Sequence, residues 1–168
     1  ASTFFFMDEQ ADSGEILSQK NFKILLTDNA KDLYDKVIKI SLMQIEKFIP
    51  KLQNKSYKTI KQKSKISNFW RKRNFGDGTI DFRMSSVAIY NLVRALSKPY
   101  IGAHIRYKDR NIHVWKVKMI KKIKLQTNIE SGKVLSVIKN TITVKTYDGA
   151  IKILKHEFKK LPTVGEYL

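Results

Sequence analysis

Two short stretches of the chain carry side chains whose types and spacing could do chemistry. The first, residues 69–73, places an aromatic pair directly before three consecutive cations. A guanidinium forks onto phosphate oxygens and an indole can stack on a base, so Trp70, Arg71 and Arg73 are candidate substrate-binding residues for a phosphate-bearing ligand. Residues 51–73 contain nine Lys and Arg and no Asp or Glu. A solvated basic linker is therefore the alternative interpretation.

The second stretch, Asp8 to Gly14, gathers the carboxylates of Asp8, Glu9 and Asp12 in front of a glycine. In a tight loop such carboxylates can simply cap neighbouring backbone amides. Their spacing does not follow the calcium-binding loop of an EF-hand. No metal site is expected, because the histidines lie apart on predicted strands without a helical or thiolate partner. These are His104, His113 and His156.

Composition narrows the function classes. The 168 residues contain no cysteine, which excludes disulfides, thiolate zinc sites and a cysteine nucleophile. A hydrophobic content of 42% is enough for a packed core, and no apolar run has the roughly 20 residues needed to cross a membrane. We expect a cytoplasmic protein. The formal charge of +18 would attract phosphates, although surface lysines on solvated faces explain part of it.

The first third of the chain predicts two strands and a long helix. Residues Ser2–Met7, with three Phe and no charge before the acidic loop, predict a buried strand, and a second strand is expected around Phe22–Leu26. Apolar residues then recur with the helical period over residues 30–53. Asp28 or Asn29 is the expected N-cap of that helix.

A second helix is predicted in the middle of the chain. A turn around Gly76–Gly78 leads to Ser85 or Ser86, either of which can cap a helix. Pro99 ends that helix, because the residue before a proline avoids the helical region. Its apolar face is formed by residues at three- and four-residue spacing, namely Ile89, Leu92, Val93 and Leu96.

Beyond Pro99 the pattern changes to short alternating strands separated by Gly, Asn and Asp turns. Five such strands predict a small barrel of the oligonucleotide-binding type. Aromatic residues lie among basic residues along them, which is typical of either a nucleic-acid-binding face or an aromatic core beneath a lysine-rich surface. These residues are Tyr100, Arg106, Tyr107, Trp115, Lys116, Lys118, Lys145 and Tyr147.

Two ordered motifs resemble a known family. The sequence DG-x-ID-(F/W), followed by IYNLVRAL and KPY-x-GA, runs through residues 77–103, and residues 84–103 are a long ordered match. It resembles the junction of 10-formyltetrahydrofolate-dependent formyltransferases, where a Rossmann-like catalytic domain meets a smaller C-terminal barrel. Upstream, residues 6–17 resemble the M-D-x-G-x-D-(S/T)-G segment that carries the catalytic aspartate of the same family. The resemblance covers most of the chain and identifies it as the C-terminal portion of such an enzyme.

The fold class implied by this resemblance is α+β. Residues 1–54 would be the tail of the Rossmann-like formyltransferase domain, with strands and a long helix. Residues 55–83 would be a basic connector. Residues 84–168 would contribute a helix and the OB-like β-barrel of the C-terminal domain, and a homodimer is left open.

The resemblance also implies an activity. The family moves a formyl group from 10-formyltetrahydrofolate to a primary amine, and Asp12 matches the aspartate that acts with an Asn and a His from earlier segments. This sequence contains no match to those two residues, so we expect no formyl transfer by the chain alone. The Trp-Arg-Lys-Arg run before the DG turn is more similar to enzymes acting on amino-sugar nucleotides. Methionyl-tRNA formyltransferase, a non-enzymatic RNA-binding barrel and a relic that serves assembly are the alternatives.

Overall fold

The computed structural model describes residues 1–62, 68, 70–120, 123 and 128–168. These form two compact units. The first contains residues 1–28 and 32–72, and the second contains residues 29–31 and 73–168. None of the helices in the described part of the chain is long and apolar enough to cross a membrane.

The first unit is built on a β-hairpin. Strand β1 (Ser2–Phe5) pairs antiparallel with strand β2 (Ile16–Lys20), with Ser2 opposite Lys20. The predicted second strand around Phe22–Leu26 is wrong, since the chain turns back directly after the acidic loop and residues 16–20 are the ones that reach β1. The prediction that the first strand is buried also fails: only Ser2 in β1 is buried, and its two Phe are half-buried.

Helix α1 (Ala30–Gln53) has the predicted extent. Asn29 is the residue that caps it, because its Oδ1 accepts a hydrogen bond from the Lys31 amide at 2.8 Å. Asp28 instead accepts a hydrogen bond from the Leu25 amide at 2.7 Å and forms a salt bridge with the Lys36 ammonium. The turn before the helix is thereby fixed by a buried carboxylate.

The second unit contains a 3-10 turn at Phe75–Gly78, which is followed by helix α2 (Ser86–Ala95). Ser85 caps this helix, since its side chain accepts from the Ala88 amide at 3.2 Å. The predicted helix, with its end ahead of Pro99, is confirmed.

Five antiparallel strands complete the second unit. They are β3 (Ala103–Tyr107), β4 (Arg110–Ile120), β5 (Val134–Ile138), β6 (Thr141–Lys145) and β7 (Ala150–His156). Their order in the sheet is β3-β4-β7-β6-β5. All five predicted strands are present, but the expected closure into a barrel is not: β3 and β5 are the two edges, and no pairing joins them within the described residues.

Flanking segments cover both edges of this open sheet. At β3, the Ile80 amide donates to the His104 carbonyl at 2.7 Å. At β5, the Val134 amide donates to the Glu166 carbonyl at 2.8 Å and the Gly165 amide donates to the Val134 carbonyl at 2.9 Å. Because these segments occupy the edge hydrogen-bonding groups, the sheet satisfies its edges without closing.

The buried apolar core of the described residues lies in the second unit, where the predicted inner face of α2 packs on one face of the sheet. Ile89 and Val93 of α2 are 0% and 1% exposed. The other core members are Ile80, Phe82, Ala103, Ile105, Val114, Val117, Val134, Ile142, Val144, Ile151 and Ile153.

Candidate functional site

The acidic loop between β1 and β2 is held by its own side chains. Asp8 Oδ1 accepts hydrogen bonds from the Gln10 amide at 3.1 Å and from the Ser13 hydroxyl. Ser13 Oγ also lies 2.9 Å from the Gln10 carbonyl. The capping role that the sequence suggested for this loop therefore applies to Asp8.

Asp12 has an exposed side chain on a fixed backbone. Its φ of 58° lies in the left-handed region, which Asp tolerates better than most residues. Gln62 Nε2 donates to the Asp12 carbonyl at 2.9 Å and to the Gly14 carbonyl at 2.7 Å. One amide group thus clamps the loop backbone on both sides of Ser13, while the Asp12 carboxylate remains accessible to a ligand.

Gly14 allows the backbone of this turn to pack directly against the Phe6 carbonyl group. A Cβ at position 14 would lie 1.6 Å from the Phe6 carbonyl oxygen, so the backbone leaves room for glycine alone. The Phe6 amide donates to the Glu15 carbonyl at 3.0 Å, which continues the hairpin next to the loop.

A depression of about 460 Å³ opens beside this turn. Glu15 on its wall is held by the Thr59 hydroxyl, and the rings of Phe6 and Tyr57 lie 5.6 Å apart. Two carboxylates beside an aromatic wall can bind an amine through charge-assisted hydrogen bonds. Asp12 stands on the adjacent loop and is not one of the residues around the depression, which are Phe6, Met7, Asp8, Gly14, Glu15, Tyr57 and Thr59.

The contribution of Tyr57 and Thr59 was missed by sequence reasoning. A backbone bridge brings them there: the Ile16 amide donates to the Ile60 carbonyl at 2.8 Å, and the Ile60 amide returns a bond at 2.9 Å. The sequence feature that could have indicated this bridge is the apolar residue Ile60 within a basic stretch. By itself, that residue does not specify a pairing with residues far along the chain.

The basic aromatic stretch is exposed. Trp70 is 84% exposed, and Arg71 Nη1 donates to the Lys72 carbonyl at 3.3 Å. Trp70 and Arg71 belong to the first unit, and Arg73, which is also exposed, belongs to the second. Phe69 and residues 63–67 of the predicted connector lie outside the described residues.

The histidines of β3 and β4 belong to a stacked aromatic group. The His104 ring stacks on Phe75 at 4.1 Å, and its Nε2 lies 3.0 Å from the Thr79 hydroxyl. The ring of His113 on β4 lies 6.2 Å from the ring of His104, measured between centroids, and it stacks on Trp115. Two causes lower the pKa of His104: burial of the ring is the larger, and the neighbouring His113 is the smaller. In the described part of the chain, no three metal-ligating side chains come together.

The outer face of the sheet carries opposed lysines. Lys116 of β4 lies directly opposite Lys155 of β7, and Lys118 lies opposite Lys152. Like charges in directly opposite positions destabilise a sheet. A phosphate group placed over this face would relieve the repulsion between them.

Comparison with known proteins gives a consistent assignment. The family model "Formyl transferase, C-terminal domain" matches residues 75–168. The bifunctional polymyxin resistance protein ArnA of Wigglesworthia glossinidia brevipalpis is 37% identical over 117 residues, 70% of this chain and 18% of that protein. The methionyl-tRNA formyltransferase of Mycoplasma capricolum subsp. capricolum is 28% identical over 98% of this chain. This chain spans 52% of the Mycoplasma protein, about half its length.

Solved structures share the fold. An N-formyltransferase from Helicobacter canadensis, in complex with folinic acid and dTDP-3-aminofucose, matches 92% of this chain and 54% of its own with a TM-score of 0.68 at 21% identity. A sugar 3N-formyl transferase, crystallised in the presence of dTDP and 5-N-formyl-THF, matches 95% of this chain and 55% of its own. Its TM-score is 0.64 and its identity is 25%.

Proposed function

The chain belongs to the formyltransferase family and carries the C-terminal domain of that family. We propose that it works as the C-terminal portion of an enzyme that transfers a formyl group from 10-formyltetrahydrofolate to a primary amine. The proposal divides the chain into the end of the catalytic domain at residues 1–54, a basic connector at 55–83 and the C-terminal domain at 84–168. Formyl-folate use is supported by the folate derivatives in the related structures.

The transfer step needs a proton acceptor. The amine nitrogen attacks the formyl carbon, a C–N bond forms, and the bond from that carbon to N10 of the folate breaks. The amine loses one proton and the folate nitrogen gains one. Asp12 is proposed to accept the amine proton, because its carboxylate is exposed on a backbone that Gln62 and Gly14 hold in place.

An amino-sugar nucleotide is the proposed acceptor. The observation that carries this choice is the exposed indole of Trp70 next to Arg71 and before Arg73, which offers a stacking surface for a base and guanidinium groups for a diphosphate. The sugar 3N-formyl transferase crystallised with dTDP supports it, since that protein matches 95% of this chain.

Calorimetric titration with dTDP at low and moderate salt tests the acceptor. We expect saturable binding that falls at least tenfold in Arg71→Ala and in Arg73→Ala, because each variant loses a charge-assisted contact to phosphate. Arg110→Ala, which removes an exposed arginine on β4, is the matched control and should bind like the unchanged chain. Equal losses in all three variants would show that dTDP responds to net charge alone.

A formyl-acceptor tRNA is the second candidate, as in the methionyl-tRNA formyltransferases that match 98% of this chain. The opposed pairs Lys116–Lys155 and Lys118–Lys152 favour it, because phosphates of a nucleic acid would neutralise a face that otherwise repels itself. A non-enzymatic RNA-binding module would use the same face.

Titration with initiator tRNA separates these alternatives from the sugar-nucleotide enzyme. A tRNA ligand predicts tight binding whose logarithm falls steeply with the logarithm of salt, and a shallower slope in Lys118→Gln. Binding of tRNA without any binding of dTDP would replace the sugar nucleotide as the acceptor. Equal affinity for initiator and elongator tRNA would favour the non-enzymatic module.

A further inference from the structure

Another depression of the first unit gathers lysines where the one beside the hairpin loop has carboxylates. Its volume is about 510 Å³, and strand β2, the end of helix α1 and the segment after the helix supply its walls. The residues around it are Leu17, Ser18, Lys47, Phe48, Lys51, Ser56, Tyr57 and Lys58, and we call them the lysine depression. Among these described residues three are lysines and none is acidic.

The three lysines have no carboxylate partner in the part of the chain that the structure describes. Lys47 and Lys51 stand one turn apart on α1, a spacing at which like charges destabilise a helix. The helix dipole explains Lys51, since it stabilises a cation in the last turn. It does not explain Lys47, which lies before that turn, or Lys58, which lies beyond the helix. A bound anion would give all three a partner.

Backbone hydrogen bonds hold the segment that carries Lys58 at both ends. Before it, the Ser56 amide donates to the Lys51 carbonyl at 2.9 Å. After it, the reciprocal bonds between Ile16 and Ile60, at 2.8 and 2.9 Å, fix the segment to β2. The depression therefore has its shape before a ligand binds, which lowers the ordering cost of binding.

Hydroxyl groups add neutral donors beside the lysines. Ser18 Oγ accepts a hydrogen bond from Gln44 Nε2 at 2.9 Å, which leaves the hydroxyl proton of Ser18 for a ligand. The Tyr57 ring lies 5.6 Å from the Phe6 ring, and its hydroxyl has no hydrogen-bond partner among the described residues. Ammonium and hydroxyl donors without a competing carboxylate match the oxygens of an ionised phosphate group, which accept hydrogen bonds.

We propose that the lysine depression binds the phosphate groups of a small phosphorylated compound. Its volume lies within the usual range of small-molecule pockets, roughly 300–1,000 Å³, and Leu17 and Phe48 offer an apolar surface to the rest of such a compound. Trp70, Arg71 and Arg73, proposed above to hold the acceptor, are not among the residues around this depression. The site therefore does not depend on which amine is formylated.

Calorimetric titration of the full 168-residue chain with inorganic diphosphate, at low and moderate salt, tests the site. We expect saturable binding that weakens at least about tenfold in the double variant Lys51→Gln with Lys58→Gln, because two charge-assisted contacts are lost. Lys39→Gln with Lys159→Gln removes the same charge from exposed positions outside the depression and should bind like the unchanged chain. Equal weakening in both double variants, or no saturable binding to the unchanged chain, would overturn the proposal.

Chemical-shift changes in NMR spectra locate the ion without any variant. Inorganic diphosphate should shift the amides of residues 47–51 and 56–58 together with the ring of Tyr57. That ring also lies on the wall of the depression beside Glu15, so its shift reports whether binding reaches the neighbouring site. Shifts confined to residues 70–73 or to the opposed lysines of β4 and β7 would place the ion elsewhere and overturn the proposal.

Titration with dTDP distinguishes two sources of the phosphate. If the natural ligand is a nucleotide, dTDP should displace inorganic diphosphate, and the double variant Lys51→Gln with Lys58→Gln should weaken the binding of both. If it is a separate phosphorylated compound, the two should bind together, and Arg71→Ala should weaken dTDP alone; both results support the site. Binding of inorganic diphosphate without any binding of dTDP would contradict the proposed acceptor and leave the lysine depression intact.

Discussion

The Tyr107 hydroxyl donates a hydrogen bond to Glu166 Oε2 at 2.9 Å, and this contact ties the C-terminal segment to strand β3. The same oxygen accepts from the Thr163 amide at 2.7 Å, and Oε1 accepts from the Lys108 ammonium at 3.1 Å. Backbone bonds join the same segment to β5. One short segment therefore links the two edge strands that do not pair with each other.

Glu166 should make the thermal stability of the chain depend on pH in the acidic range. The Thr163 amide, with Tyr107 and Lys108, lowers the pKa of Glu166 from 4.5 to about 2. A carboxylate with a depressed pKa stabilises the fold above its unfolded pKa, and that contribution disappears as pH falls through the folded one. We expect Glu166→Gln to lower Tm at pH 7, and its difference from the unchanged chain to shrink between pH 4.5 and about 2.

Thermal unfolding followed by circular dichroism measures this effect across that pH range. Glu46→Gln, on an exposed position of α1, is the control and should track the unchanged chain at every pH. Parallel pH profiles for Glu166→Gln and the unchanged chain would show that ionisation of the carboxylate makes no contribution to the stability of the fold.

The hairpin between β6 and β7 should stabilise helix α2. Asp148 Oδ1 accepts from the Ser86 amide at 2.7 Å, and this bond lowers the pKa of Asp148. The bond satisfies a donor of the first helical turn and places a negative charge at its positive end. We expect Asp148→Ala to cost about 1 kcal/mol in urea unfolding, the usual value of a helix cap. Asp109→Ala, on the exposed β3–β4 turn, should cost much less.

Most of the second unit could be predicted from sequence because local signals agree there. Ser85 or Ser86, Pro99 and the apolar spacing predicted the limits of α2, and alternation with Gly and Asn turns located the five strands. The barrel closure failed for a non-local reason. Whether edge strands pair depends on competing segments such as the one around Glu166, which no periodicity reveals.

The first unit was harder to predict because burial there is not decided locally. Residues 22–26 are apolar enough for a strand, yet β1 is paired by residues 16–20 immediately after the acidic loop. The loop containing Asp12 was recognised by its motif alone. The contacts that hold it, from Gln62 and through the Ile60 bridge, come from a basic stretch that composition marks only as a linker.

The turn that carries Asp12 should fail when Gly14 gains a side chain. A methyl group at this position would approach the Phe6 carbonyl oxygen to 1.6 Å, so the strands on both sides must move. We expect Gly14→Ala to cost about 1–3 kcal/mol in the stability of the first unit. Amide exchange of residues 2–20 measures the loss, and Ser13→Ala, in the same loop, should have a smaller effect. An unchanged exchange pattern in Gly14→Ala would mean that the turn is not closely packed.

The buried His104 should destabilise the chain in mild acid. Burial and the facing His113 lower its pKa below 6.5, so the unfolded chain binds a proton more readily than the folded one. Stability should therefore fall as pH drops below 6.5, until the folded pKa is passed. His104→Phe keeps a ring against Phe75 and removes the titration, so its Tm should change less between pH 7.5 and 5.5. His156→Gln should retain the slope of the unchanged chain, and a slope retained by His104→Phe would assign the acid sensitivity to another group.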